Sequence, residues 1–276
     1  MCRLAFIYSE DQEITKKIIN AMIESSRNDK YKVAIGWGPS HGDGWGVIAF
    51  SLAQGNKVEK TYSYITVTPI YDDTYGTMNL LEFLSKQNRI ALSIHSRFTS
   101  SGIVDVFNTH PIMINGEGRD FTLWIAHNGT MNKELLAKEL GLEPLHEVSD
   151  TYYLGLYIHR NIKELEINEL INTLKQASIY TKTAMNTINM FYSLRKGLHT
   201  VVTCYLNDEL KQKRQYIDYY KLYLLKADKT IAITSSTIAD ILRDEFPHEQ
   251  EVFIDKICYI NYPLGKKPEV KFFNIL

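Results

Sequence analysis

Three runs of strand length carry apolar residues at successive positions: "RLAFIYS" (3–9), "RIALSIHSRF" (89–98) and "FTLWIAHNG" (121–129). Successive side chains of a strand point to opposite faces, so a strand apolar throughout needs cover on both sides. The first run starts directly behind Cys2, and a strand packed from its first residue holds that cysteine in place. Further strand patterns are "KVEKTYSYITV", "LHTVVTCYL", "YKLYLLKAD" and "KTIAITSS", the last two joined by a hairpin at Ala227-Asp228-Lys229. Val47 to Phe50 open another strand.

Helical periodicity fills the intervals. "SEDQ" (Ser9 to Gln12) has the spacing of a capping box, and Ile14, Ile18, Ile19, Met22 and Ile23 share one face of a helix expected to reach Arg27. Helices are also expected over Thr77 to Gln87 and over Lys133 to Leu140, the latter capped by Asn132 and closed by Gly141. Another opens at Ser149 or Asp150, and Glu164 to Leu194 is expected to give one or two more. Strand groups around a helical middle indicate a layered α+β domain spanning residues 1–276.

With 45% hydrophobic and 23% charged residues, the chain has the composition of a soluble globular protein with a sizeable core. Its net charge of −1 demands no polyanionic partner. The basic clusters Lys211 to Arg214 and Lys266-Lys267 are read as solvated surface, so no nucleic acid is expected. No apolar run nears the roughly 18 residues of a membrane span. The absence of a long apolar stretch before Cys2, with Glu10 and Asp11 soon after, argues against a secretory signal or a lipid anchor. The expected compartment is the cytoplasm. Cys2, Cys204 and Cys258 are too scattered for a disulfide framework, and the latter two are read as inert core residues in strands.

Polar residues gather at the strand ends and loops, in "HGDGWG" (41–46), "HSRFTSSG" (95–102), "NTHP" (108–111), "AHNGT" (126–130) and "SDTYY" (149–153). Each alone has a bland reading. Arg97 suits a structural ion pair, "HNG" a turn with Gly129 at positive φ, and Asp150 a helix cap. Trp45 suits the wall of a pocket or the core. His41, His95, His110 and His127 lack the spacing and acidic partners of a metal motif, so a loop-ordering role ranks above a metal site.

Taken together with Cys2, the set resembles the class II glutamine amidotransferases, a branch of the N-terminal-nucleophile hydrolases. The likeness runs through Cys2, Asp43 to Gly46, His95-Ser96-Arg97, Ser100-Ser101-Gly102, Asn108 to Pro111, His127-Asn128-Gly129 and Asp150, in order and approximate separation. It covers residues 2 to 150 and is closest to small members without a synthase domain. The resemblance implies a four-layer αββα sandwich with Cys2 at the start of a central strand. It also implies hydrolysis of the glutamine side-chain amide, without a metal or other cofactor. Phe98-Thr99 and Thr151-Tyr152 depart from the Trp-Ala and Ser-Glu common at those places, which leaves open what lies beyond the glutamine site.

Covalent amide cleavage needs a nucleophile, a base, an oxyanion site and a substrate clamp. A cysteine made N-terminal by removal of Met1 supplies the first two, since an α-amine near pKa 7.7–8.0 can take a thiol proton. Asn128 and the Gly129 N–H would then serve the oxyanion. Arg97 would hold the α-carboxylate of L-glutamine, Ser100 would add a hydroxyl, and Asp150 would hold the α-ammonium. A separate synthase subunit is expected to receive the ammonia. Two alternatives remain: hydrolysis of a γ-glutamyl amide bond in a larger metabolite, and a catalytically silent regulatory module of the same fold.

Overall fold

β1 (Arg3–Ser9) is buried along its whole length. Leu4, Phe6 and Tyr8 pack against Ile188, Met190, Val202 and Cys258, whereas Ala5 and Ile7 pack against Ile18, Ile19, Met22, Leu80 and Ile238. One face thus meets a second sheet and the other meets helices, as a strand apolar at every position requires. The structure, a computed structural model, describes residues 2–116, 118–246, 250–264 and 266–275. Met1, whose removal the sequence reading requires, lies outside the described residues.

After β1 come α1 (Gln12–Arg27), α2 (Lys30–Ala34), β2 (Trp45–Leu52), β3 (Val58–Thr66), α3 (Thr74–Ser85) and β4 (Ile90–Ser96). Next are β5 (Ile112–Ile114), β6 (Phe121–Met131), α4 (Lys133–Leu140), α5 (Asp150–Asn161) and α6 (Ile167–Ala177). The remainder is β7 (Thr181–Ser193), β8 (Gly197–Cys204), α7 (Asp208–Lys211), α8 (Arg214–Tyr220), β9 (Leu222–Ala227), β10 (Thr230–Ser235), α9 (Ser236–Ile241), β11 (Gln250–Phe253), β12 (Lys256–Asn261) and β13 (Glu269–Asn274).

Among the described residues the strands form two sheets, in the orders β11-β9-β10-β1-β4-β2-β3 and β13-β12-β8-β7-β6-β5. Every neighbouring pair is antiparallel. β1 occupies the middle of the first sheet, so the strand carrying Cys2 at its head is a central one. α1, α3 and α9 cover this sheet, while α4, α5 and α6 cover the second through Leu136, Leu154, Ile158, Leu170 and Leu174. Phe6 and Phe50 from one sheet and Ile188 and Val202 from the other close the gap between them. The result is a four-layer αββα sandwich, the architecture expected from the sequence. Among the described residues no helix is long and apolar enough to cross a membrane.

Three local expectations are corrected. α1 is capped by Asp11, whose carboxylate accepts from Glu13 N and Ile14 N, both at 3.0 Å. Ser9 ends β1, and its hydroxyl ties the intervening turn at Asp11. The stretch Glu164 to Leu194 is only partly helical, because residues 181–193 form β7, the longest strand. That segment is rich in Thr, Ile, Met and aromatic side chains and pairs with both β6 and β8, so sheet pairing overrides its helix-like spacing. Finally, Asn128 and Gly129 lie within β6 instead of at a turn beyond it. The β6–β7 register slips between Gly129 and Met131, and such an irregularity re-aims a side chain without ending the strand.

Candidate active site

Cys2 precedes β1 by one residue, and its backbone nitrogen donates to Asn128 Oδ1 at 2.8 Å. That bond fixes the amide of Asn128. Its Nδ2 end is buried and has no hydrogen-bond partner among the described residues, so two donor hydrogens are held ready beside the cysteine. Gly129 follows with φ +148°, and a Cβ there would lie 1.9 Å from the Ala184 carbonyl oxygen. Only glycine fits this approach.

The Cys2 sulfur faces the peptide of Phe98. The Phe98 N–H donates to Sγ at 3.4 Å, and the thiol donates to the Phe98 carbonyl at 3.5 Å. Burial pushes the thiol pKa up. The positive amino terminus, His95 and the contact with Phe98 outweigh it and bring the thiol down to about 5. At Cys204 and Cys258 burial outweighs the neighbouring Lys211 and Lys226 and drives both thiols far above the ordinary range.

Asp43, from the glycine-rich loop, accepts from Thr99 N at 2.7 Å and so braces the turn after Arg97. Arg97 is buried beyond the end of β4. It spends two of its five N–H groups on the carbonyls of Ile103 and Ser101, at 3.1 and 3.2 Å. Asn108 ties the same loop to Glu147 and Ser149. Burial lowers the Arg97 pKa, while Cys2, Asp43, Asp150 and Asp105 around it favour its charge.

Asp150 is the first residue of α5, behind Ser149 at the cap position. Its carboxylate accepts from Met131 N at 2.6 Å, and its own N–H donates to Ser101 Oγ at 3.2 Å. Cys2, Arg97, Ser100, Gly129 and Asp150 all line one narrow cleft of about 20 Å³, together with Phe98, Ser101, His110, His127, Ser149 and Thr151; Asn128 is not among its lining residues. The arrangement offers a lowered thiol, a guanidinium and a carboxylate in one cleft, with a spare amide donor held at the cysteine's own nitrogen.

Of the sequence candidates, Trp45 is core. It is fully buried on β2, and its Nε1 donates to Asp73 at 2.9 Å. His41 sits apart on Asp29 at 2.8 Å. His110 and His127 line the cleft, and His95 packs against His110 outside it. His127 N–H donates to His110 Nδ1 at 3.4 Å, so that nitrogen is an acceptor and His95 Nε2, 3.1 Å from it, carries the hydrogen. His95 Nε2 also reaches the His127 carbonyl at 3.1 Å. Burial lowers the pKa of His110 and His127, keeping both neutral. Among the described residues no group of three or more metal-ligating side chains converges.

Sequence reasoning missed the support beneath Cys2. Arg3 Nε is 2.5 Å from Asp29, and the Arg3 guanidinium stacks 4.1 Å over the Tyr219 ring. Tyr219 in turn donates its hydroxyl to the Cys2 carbonyl at 3.2 Å. Asp29 caps α2 in the structure, and Tyr219 carries no local signal in the sequence. For His95 a signal exists: it lies two residues before Arg97, on the same face of β4, and pairs with Leu4 two residues after Cys2.

No protein-family model matches the chain, and no curated protein matches it. Among solved structures it is similar to the allosteric regulatory enzyme of purine biosynthesis, with a TM-score of 0.60 and 14% identity. The overlay covers 99% of this chain and 49% of that one, so this chain spans about half the length of that enzyme. The likeness shows that the two chains share a fold. A predicted glutamine amidotransferase from Pseudomonas aeruginosa PA01 is also 14% identical, over 98% of this chain and 90% of that one. Its TM-score is 0.35, a value at which the overlay decides nothing.

Proposed function

We propose that the whole chain is one glutamine-hydrolysing unit that cleaves the side-chain amide through a γ-glutamyl thioester on Cys2. With Met1 removed, the Cys2 nitrogen becomes an α-amine next to its own sulfur, and it takes the thiol proton. The thiolate attacks the amide carbon and forms a C–S bond. The carbonyl oxygen takes the negative charge, received by Asn128 Nδ2 and the Gly129 N–H, one such donor typically contributing about 3–4 kcal/mol. The α-ammonium protonates the departing nitrogen, the C–N bond breaks and ammonia leaves. Water then cleaves the thioester, giving glutamate and the thiol. Arg97 holds the substrate's α-carboxylate with its free donors, Ser100 adds a hydroxyl, and Asp150 holds the α-ammonium.

The observation that carries this reading is the pairing of Cys2 N with Asn128 Oδ1 at 2.8 Å, which leaves the buried Nδ2 unpartnered among the described residues, beside a cysteine that lines one cleft with Arg97 and Asp150. A silent module would have no need to keep a buried amide donor unsatisfied beside a lowered thiol. We take the compartment to be the cytoplasm, where a free thiol stays reduced, and the recipient of the ammonia to be a separate synthase subunit.

The test is release of ammonia and glutamate from glutamine by protein whose mass shows Met1 removed, set against turnover of γ-glutamyl amides. A glutamine-derived diazo-ketone should label Cys2 and abolish release. Labelling at Cys204, or glutamine left intact by the processed protein, would sink the proposal. Preferential turnover of larger γ-glutamyl amides would move the assignment to the first alternative.

A further inference from the structure

Lys32 is a fully buried lysine on α2 that the mechanism above leaves without a task. Its ammonium donates to the Ser40 carbonyl and stands 3.4 Å from the centre of the Phe98 ring. Trp37 meets that ring edge-on at 5.4 Å. No carboxylate among the described residues closes on Lys32 at ion-pair distance. Asp29 is engaged by Arg3 and His41, and Asp43 by the Thr99 N–H. The aromatic face is therefore the principal seat of this charge, in a setting where water competes little.

The ring and the peptide at the Cys2 sulfur belong to one residue. The Phe98 N–H lies 3.4 Å from Sγ and its carbonyl 3.5 Å, and both groups flank the Cα that bears the ring's Cβ. Fixing the ring fixes the peptide. We propose that Lys32 is a positioning residue for the Cys2 thiol, seating the Phe98 ring so that the Phe98 peptide stays against the sulfur. The inference rests on Cys2 being the nucleophile of the reading above. It also gives a role to Phe98, one of the departures from the family pattern.

The charged groups around the pair are few. Cys2, Asp29, Asp43, Arg3 and His41 face Lys32, and His95, Arg97, His127, Tyr219 and Tyr220 face Cys2. Burial brings the Lys32 pKa down to about 8, so the ammonium remains charged at neutral pH and is lost above it.

The test is the pH midpoint of Cys2 alkylation by iodoacetamide, followed by intact mass on the full chain. Lys32→Met keeps the length of the side chain and removes the charge. Its midpoint should rise by about one pH unit or more, the usual effect of losing a neighbouring cation. Lys32→Arg should hold the midpoint close to the parent value, because a guanidinium also stacks on an aromatic face. Phe98→Leu should raise the midpoint as Lys32→Met does, and the double variant should rise no further than either single one. An unchanged midpoint in Lys32→Met overturns the proposal, as do fully additive shifts or a Lys32→Arg midpoint equal to that of Lys32→Met. If Lys32→Met does not fold, Phe98→Leu decides alone, and an unchanged midpoint there overturns it. Alkylation needs no glutamine turnover. A protein that leaves glutamine intact yet shows these shifts would refute the proposed reaction and keep the role of Lys32.

Discussion

Asp29→Asn changes one atom of a buried carboxylate and should come close to unfolding the protein. Asp29 Oδ2 lies 2.5 Å from Arg3 Nε and 2.8 Å from His41 Nε2. Its Oδ1 accepts from Thr237 Oγ1 at 2.5 Å and from Tyr31 N and Lys32 N at 3.1 and 3.3 Å. The Arg3 and Asp29 side chains are both 0% exposed. An asparagine oxygen at the Oδ1 position keeps the cap of α2, but it turns an NH2 toward the N–H groups of Arg3 and His41. The guanidinium is then buried without a counter-charge, which costs about 3–5 kcal/mol. Loss of the same pair at a surface would cost about 0–1 kcal/mol. Against a typical total stability of about 5–15 kcal/mol, the larger figure is decisive. Urea unfolding followed by circular dichroism measures the difference. Arg3→Met combined with Asp29→Asn removes both charges, keeps the cap of α2 and should restore more than half of the loss, since no buried charge is left unpaired. A loss under about 1 kcal/mol in Asp29→Asn, or a double variant no better than the single one, would refute the reasoning.

Cys2→Ser should end ammonia release while the urea midpoint stays within error of the parent, because the hydroxyl is nearly isosteric and far less nucleophilic. Asn128→Ala should lower kcat by about 10²–10³ with a smaller change in KM, as expected for a donor used chiefly in the transition state. Stability should climb as pH rises from about 3 to 6.5. Burial holds His41 down to about 3, so between these values the unfolded chain binds the proton that the folded one refuses. His41→Gln should flatten that slope in pH-dependent urea titrations, and an unchanged slope would assign it to other groups. Gly129→Ala should cost several kcal/mol or prevent folding, since its Cβ would meet the Ala184 carbonyl oxygen at 1.9 Å.

Much of the cleft was legible because its parts are local signals at the ends of strongly patterned strands. Cys2, Arg97, Ser100, Gly129 and Asp150 each stand out beside an apolar run or a helix start, and all five line the same enclosure. Asn132 and Gly141 marked both ends of α4 because capping chemistry is read from one residue. The hidden parts are those defined by distant partners. Arg3 reaches the Tyr219 carbonyl across 216 residues, and nothing near Tyr219 announces it. β7 was obscured because an apolar pattern within a polar stretch fits a buried strand and a helix face alike. Gly129 shows a subtler limit. The sequence indicates a residue with unusual φ but not that the strand continues past it, which depends on β7 lying alongside.

The contrast among the three thiols gives the folded chain a countable signature. Cys204 and Cys258 sit on β8 and β12 between the sheets, wholly enclosed, while Cys2 borders a cleft with its proton loosely held. A chromogenic disulfide reagent added to native protein should consume one equivalent quickly, and in denaturant it should consume three. The ratio of fast to total equivalents reports the native fraction of any preparation, without a ligand, a label or knowledge of the substrate.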